Sequence, residues 1–494
     1  MSEKKVVVIG SGFAGLSAAT NLAAKGFTVE VLEKNATPGG RARSFSENGF
    51  TFDMGPSWYW MPDVFEQYFR RFSKAPADYY DLVRLDPSYT VIFGPEDFMQ
   101  VPAQMHRINA LFESLEKGSS EALHRFLAQA AYKYQVGIKQ LVHKPSRSVT
   151  EFLSLKLLVD VLRLDVFQSI HGHLRKYFRH EKLLKLLEFP ILFLGALPQN
   201  TPALYSLMNY ADISLGTWYP MGGMYKIVEG MVALAKEQGV QFRFNQNVKQ
   251  INVINGRASQ VITDKDVWEA DIVVAGADYH HVEQQLLAPE YRSYTESYWD
   301  KRVLAPSSLI FYLGVSKRLQ RLTHHNLFFD EDFEPHAQEI YENPKWPEKP
   351  LFYVSAPSQT DASVAPEGCE NLFILIPVAP DLTDTEDLRE YYYQLVMDRL
   401  EKLTGQSIRD FVVVKRSYAH SDFIKDYNAF KGNAYGLANT LMQTAILKPS
   451  LKSRKVKNLY YTGQLTVPGP GVPPSLISGQ VVAEEIRKEF SSFN

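Results

Sequence analysis

The residues whose types and spacing carry the most chemistry lie at the two ends of the chain. Near the start stands Gly10-Ser11-Gly12-Phe13-Ala14-Gly15, and Glu33 follows 18 residues after Gly15. Gly10 permits a tight turn, Gly12 lets the backbone approach a pyrophosphate, and Gly15 lets a helix pack closely on a strand. Glu33 has the spacing of a carboxylate that holds a ribose hydroxyl, with Lys34 beside it. Together they predict a dinucleotide site, against the plainer alternative of a glycine-rich turn that binds nothing. NAD and FAD share this fingerprint, so it does not choose between them.

The elements needed to position these residues are legible around them. Val6 to Ile9 is a β-branched run without alternation, as expected of a strand buried on both faces of a parallel sheet. Leu16, Ala19, Leu22 and Ala23 repeat at helical spacing, Gly26 ends that helix, and Thr28 to Leu32 reads as a second strand closed by Glu33. Val240 to Val253 reads as strands, with Val248 in one of them. Ala270 to Ala277 reads as another buried strand ending near Asp278, and both are expected in the same sheet. At the far end Leu459 to Tyr461 reads as a strand, Pro468 to Pro474 as irregular chain, and Ser475 as the start of a helix.

Composition bounds the rest. The chain has 494 residues, 45% hydrophobic and 22% charged, with a net charge of -2. Two or three domains are expected. The near-neutral balance gives no electrostatic case for nucleic acid. Cys369 is the single cysteine, so no disulfide framework exists and a reducing, cytoplasmic setting is the natural reading. The apolar run at the N-terminus is too short for a signal peptide, and no stretch is long and apolar enough to span a bilayer. His171, His173, His280, His281, His324 and His325 occur as pairs without a second cluster at metal-site spacing, so no metal is expected.

Two further motifs sharpen the cofactor. Pro38-Gly39-Gly40-Arg41-Ala42 and Phe52-Asp53-Met54-Gly55-Pro56-Ser57 follow Glu33. Tandem glycines bring amides against an anion and Arg41 supplies a fixed positive fork. This arrangement resembles the long FAD motif of the family containing amine oxidases, protoporphyrinogen oxidase and carotenoid desaturases. The segments WYPMGGM (Trp218 to Met224), EADIVVAGADYHHV, DASVAPEGC (Asp361 to Cys369) and NLYYTGQLTVPGPGVPPSLISG make the chain similar, throughout its length, to the bacterial-type phytoene (carotenoid) desaturases. Gln464 departs from the small or acidic residue that many relatives carry there.

The resemblance implies noncovalent FAD and an α/β fold: a discontinuous Rossmann-like FAD domain (1–85, 216–295 and 440–494), a β-sheet substrate domain (86–110 and 296–439), and a helical, membrane-associating lid (111–215). It assigns the cofactor to the glycine loop, Glu33, Lys34, residues 39–42 and 55–57, Val248, Ala277, Asp278, Gly463, Gln464, Gly471, Val472 and Pro473. It assigns Trp218, Tyr219 and Met224 to substrate. A helix N-terminus after Pro473 would favour the anion formed when a flavin accepts a hydride, with no catalytic side chain.

The implied reaction is hydrogen removal from a C–C bond of a forty-carbon polyene such as phytoene, with a quinone or oxygen as the electron acceptor. The alternatives are a hydroxycarotenoid 3,4-desaturase, a carotenoid isomerase or oxidase, an amine oxidase, and a flavin or carotenoid carrier without turnover. Glu151 is the one carboxylate candidate for proton transfer, against a plain helix-start role. From Phe152 to Leu194, basic residues alternate with Leu, Val and Phe at three- and four-residue intervals. That predicts a segment peripherally bound to anionic lipid, against an ordinary helical cover.

Overall fold

In the computed structural model, residues 4–148, 151, 164–192 and 197–491 are described. In chain order the strands are β1 (Lys5–Ile9), β2 (Thr28–Leu32), β3 (Ser44–Glu47), β4 (Phe50–Asp53), β5 (Leu82–Arg84), β6 (Tyr89–Gly94), β7 (Asp97–Val101), β8 (Trp218–Pro220), β9 (Gln241–Arg243), β10 (Val248–Ile254), β11 (Arg257–Thr263), β12 (Val267–Glu269), β13 (Ile272–Ala275), β14 (Ser307–Val315), β15 (His325–Phe328), β16 (Phe352–Ser355), β17 (Glu370–Val378), β18 (Val412–Tyr418) and β19 (Leu459–Tyr461).

The β-branched run of β1 becomes the centre of a five-stranded parallel sheet in the order β19-β13-β1-β2-β9. Val6, Val8, Val29 and Val31 point to one side of it, with Leu16, Ala18, Ala19 and Leu22 of the first helix, Phe13–Ala23. Val7, Ile9, Leu32, Val273 and Ala275 point to the other. Both faces are covered, which is why these strands read as unbroken apolar runs.

The strand containing Val248 does not join this sheet. β10, β11 and β12 form a separate antiparallel sheet. β10 mixes buried Val248 and Ile251 with exposed Lys249, Gln250 and Ile254, as a sheet partly open to solvent allows, whereas every residue of β13 is buried. Val248 shares an apolar cluster with Ile9 and Leu32.

A second, seven-stranded sheet runs β18-β14-β17-β16-β15-β6-β7. Its strands alternate strictly. Leu309, Phe311, Leu313, Phe328, Phe352, Leu372 and Ile374 face the helix Glu386–Thr404, packing on Tyr393, Val396, Met397 and Leu400. Ile310, Tyr312, Leu327, Tyr353, Phe373 and Leu375 face the other way, into the core shared with the five-stranded sheet. The hairpin β3–β4 bridges the two: Tyr312 donates to the Met54 carbonyl at 2.7 Å, and Asn371 donates to the Thr51 carbonyl at 2.8 Å.

The described part of the insertion between the sheets is largely helical, with Met105–Leu115, Ser119–Lys139 and Glu181–Leu192 its longest helices. The first part of the amphipathic segment, including Lys156 and Arg163, lies outside the described residues. Phe193 and Leu194 lie outside them too. In the described part the leucine stripe is covered by protein: Leu174, Phe178, Leu183, Leu184, Leu186, Leu187, Phe189 and Ile191 are all buried in the protein's own core, while Phe167 is exposed. A stripe at helical spacing buries against whatever surface it meets, and here that surface is the rest of the molecule.

Candidate active site

The glycine loop is built as its spacing demands. Gly10 has a φ of 92°, and a β-carbon at Gly15 would run into the Gly10 carbonyl oxygen. Gly12 differs. A β-carbon there would meet no protein atom within 4 Å, so the protein's own packing does not demand glycine. Close approach of a phosphate would. Gly12 caps the first helix with no side-chain hydrogen bond. The first-turn amides, which have no partner inside any helix, therefore face the same place.

Glu33, buried at the end of β2, accepts from Ser11 N at 2.9 Å, Ser11 Oγ at 2.6 Å and Asn35 N at 2.9 Å. Lys34 turns away to the Asn428 amide oxygen at 3.3 Å, and burial lowers its pKa.

The second motif is seated on the first. Gly39 N donates to the Ser11 carbonyl at 2.9 Å, and at Gly40 a β-carbon would lie 3.3 Å from Gly12 Cα. Gly55 packs so closely on the Arg41 carbonyl that no side chain fits. The Arg41 guanidinium is enclosed beside Asp278 and over the Tyr427 ring. Burial lowers its pKa, against the opposing pull of Asp278. Its Nε is buried without a partner, and such an orphaned donor fits a site that holds an anion. Asp278, placed by β13, accepts from His281 N and Phe430 N, and burial raises its pKa. Ala277 packs on Gly10.

The C-terminal motifs close the site from the other side. β19 delivers Gly463, whose amide donates to Ser478 Oγ at 3.1 Å and whose Cα faces Ala14. Gln464 lies 3.0 Å from the Asn433 side chain and 3.1 Å from Arg41 Nη2. This departure from the family pattern thus has a partner in the motif at the other end of the chain. The C-terminal helix starts at Val472, not Ser475, and runs to Ser491. Pro473 and Pro474 lie inside its first turn, where a missing N–H costs nothing. At Gly479 this helix crosses the first helix so closely that a β-carbon would meet Ala14 O and Ala18 N, and Ser17 Oγ donates to the Leu476 carbonyl at 2.7 Å. The two ends of the sequence form one cradle, and its residues fit FAD: an uncapped helix N-terminus, a buried acid for a ribose and an orphaned arginine nitrogen.

Beyond Gly55 the chain enters a packed cluster of aromatic rings. Trp58 stacks on His325 with centroids 4.1 Å apart and meets Tyr89, Phe189 and Tyr353. His325 Nδ1 lies 2.6 Å from the Tyr353 hydroxyl, and burial drives its pKa well down, so it is neutral.

The residues assigned to substrate lie on β8 and just before the helix Tyr225–Glu237. Tyr219 and Met224 are buried around a small cavity of about 20 Å³ with Ser57, Asp53 and His324. Trp218 pairs with the Arg84 side of β5. The motif is held by two carboxylates that sequence reasoning did not single out. Asp53 accepts from Met224 N at 2.7 Å and Tyr225 N at 3.0 Å, and burial pushes its pKa up to about 6. Asp361 accepts from Gly222 N at 2.6 Å and Tyr219 OH at 3.2 Å. Both acids sat inside quoted motifs, and that membership was the only signal.

Glu151 is held by the chain just before it. Its carboxylate accepts from the amides of Ser146, Arg147 and Ser148, the work of a local cap.

A parallel sheet with a glycine loop, joined to a seven-stranded sheet through a two-ended cradle, defines a flavoprotein oxidoreductase. The comparisons agree. The family "Flavin containing amine oxidoreductase" matches residues 13–487. A carotenoid 3,4-desaturase of Haloarcula japonica is 40% identical, covering 99% of both chains. A zeta-carotene-forming phytoene desaturase of Myxococcus xanthus is 33% identical over 98% of this chain and 94% of that one. Among solved structures, an oxidoreductase from Methanosarcina mazei superposes with a TM-score of 0.62 at 18% identity, covering 97% of this chain and 100% of that one, and so shares the fold. The chain belongs to the flavin containing amine oxidoreductase family, and within it to the carotenoid desaturases. It is an FAD-dependent oxidoreductase.

Proposed function

We propose that this protein removes two hydrogens across a saturated C–C bond adjoining the polyene of a carotenoid. The observation that carries this is the junction at Gly55 to Trp58, where the cofactor motif runs directly into a packed cluster of aromatic rings. The apolar face of the seven-stranded sheet, with Tyr353, Phe373 and Leu375, belongs to the same core. Bound FAD supplies the hydride acceptor. The chain's own contribution is to hold an extended hydrocarbon, exclude water and fix which bond meets the cofactor. A positive charge developing beside a polyene is spread by conjugation, so proton loss needs no strong base, and Glu151, occupied by three amides, need not supply one.

The higher identity to a 3,4-desaturase than to a phytoene desaturase favours an already conjugated carotenoid over phytoene itself. The chain carries one dinucleotide fingerprint, which FAD takes, so electrons leave for a quinone or oxygen rather than NAD(P). The test is product analysis after incubating the FAD-loaded protein with phytoene and, separately, with a conjugated carotenoid in liposomes. The expected result is a product two hydrogens poorer from the conjugated carotenoid. Turnover of phytoene alone supports the phytoene reading instead.

Peripheral membrane contact belongs to the same proposal, at a different place from the leucine stripe. Three of the basic residues expected to meet lipid already have partners: Arg175 with Glu188 at 2.8 Å, Lys182 with Asp97 at 2.5 Å and Lys176 with Gln168 at 2.8 Å. Large apolar side chains face solvent instead at Phe167 (88% exposed), Met442 (75%), Ile446 and Leu447. Both groups flank one short stretch: the Gln168 carbonyl accepts from Ala203 N, and Tyr205 bonds the Thr444 side chain. No helix among the described residues is long and apolar enough to cross a membrane. An apolar patch beside a helical cover suits shallow insertion at a lipid surface that holds the substrate.

A further inference from the structure

Lys448 is a buried lysine to which the described residues supply no acid. It is 5% exposed. Its ammonium, with three donors, makes one hydrogen bond, to Asn439 Oδ1 at 3.0 Å. Burial is the one influence on its proton affinity, lowering its pKa to about 7, and no ionised side chain opposes or assists. A lysine charge taken out of water without a partner is costly and is retained where it meets an opposite charge some of the time.

Its position says which charge. Gly469 lies directly on the Lys448–Asn439 pair. Gly469 has a φ of 137°, and a β-carbon there would sit 2.7 Å from Lys448 Nζ and 3.0 Å from Asn439 Oδ1. Three residues later, at Val472, the C-terminal helix begins. Its N-terminus carries roughly half a positive charge. Two positive poles therefore adjoin each other at one end of this helix. The phosphate pole is elsewhere: the first helix meets the C-terminal helix at Gly479, seven residues along and so about 10 Å away. An extended cofactor with its phosphates at the first pole has another part to offer the second.

We propose that Lys448 acts with the N-terminus of the C-terminal helix as the electrostatic partner of the flavin ring, favouring its reduced, anionic form over its oxidised, neutral form. The inference rests on the reading of this cradle as the FAD site.

The test is the reduction potential of the FAD-loaded protein, measured by dye-equilibrated titration in the parent, Lys448→Met and Lys448→Arg. Lys448→Met is expected to weaken the preference for reduced flavin about tenfold, about 30 mV for a two-electron couple, and Lys448→Arg to keep the parent value. In the parent the potential also falls more steeply with pH above about 7 than below it, because reduction then draws a proton onto Lys448; Lys448→Met loses that break. An unchanged potential in Lys448→Met overturns the proposal, whatever happens to stability. If Lys448→Met retains no FAD, the parent alone decides, and an unbroken slope through neutral pH overturns it. A parent that binds no flavin contradicts the site reading instead.

Discussion

At the scale of single residues, glycines that look alike in the sequence differ. Gly15 is required by the protein's own backbone, whereas no protein atom lies near a β-carbon at Gly12, which the proposed reading leaves for the FAD pyrophosphate. Gly12→Val is therefore expected to leave the folded protein and its thermal midpoint nearly unchanged while abolishing FAD binding, read as flavin absorbance after gel filtration. Glu33 holds Ser11 and Asn35 in place, and in the proposed reading it also meets the FAD ribose. Glu33→Ala is expected to weaken FAD binding by about 1.5–3 kcal/mol, the scale of a hydrogen bond to a charged group, measured by titrating apoprotein with FAD. Asp53 gives a pH signature. Burial raises its pKa from 3.8 to about 6, so the folded state binds its proton more tightly than the unfolded state. Its ionisation costs stability as pH rises from about 4 to about 6, on the order of 1 kcal/mol per pH unit. Denaturant melts across that window should show Asp53→Asn falling less steeply than the parent.

At the scale of elements, the account turns on contacts between segments far apart in sequence. Gly479→Val drives a branched side chain into Ala14 O and Ala18 N. It is expected to cost about 1–3 kcal/mol of stability and, unlike Gly12→Val, to lower the thermal midpoint and FAD content together in a scan of the purified protein.

The limits of the sequence reading show at this scale. The strands β1, β2 and β19 and the first helix were legible because a doubly buried strand and an amphipathic helix write their periodicity locally. The separate sheet of β10 to β12 was not, since nothing in a seven-residue strand says which neighbour it will find. The C-terminal helix starts three residues early because proline is as acceptable in a first turn as before it. The leucines after Leu174 announced an apolar face correctly, but amphipathicity does not say whether lipid or protein covers it. Lys448 left no signal, because a lysine's burial is decided entirely by tertiary packing. Asp53 and Asp361 were visible as letters in motifs. Their role, clamping Gly222 and the helix after Met224, required the fold.

At the scale of the whole molecule, a cofactor cradle tied together from both chain ends adjoins a packed aromatic cluster, and an exposed apolar patch lies on the helical insertion and the segment around Met442. If that patch meets lipid, Phe167→Ser with Met442→Ser should reduce co-sedimentation with liposomes and turnover of liposome-held substrate. FAD content and the thermal midpoint should stay at parental values. Sedimentation equal to the parent's would leave the patch without this role.

The central claim is that the FAD in this cradle takes hydride from a carotenoid, and anaerobic mixing tests it most directly. The FAD-loaded protein is combined, without oxygen or quinone, with liposomes carrying a conjugated carotenoid, and the flavin absorbance is followed. The account predicts that the oxidised flavin bleaches, in step with one equivalent of a carotenoid two hydrogens poorer, and that added quinone or oxygen restores the colour. A flavin that stays oxidised with every carotenoid offered, phytoene included, yet bleaches with an amine, would contradict it.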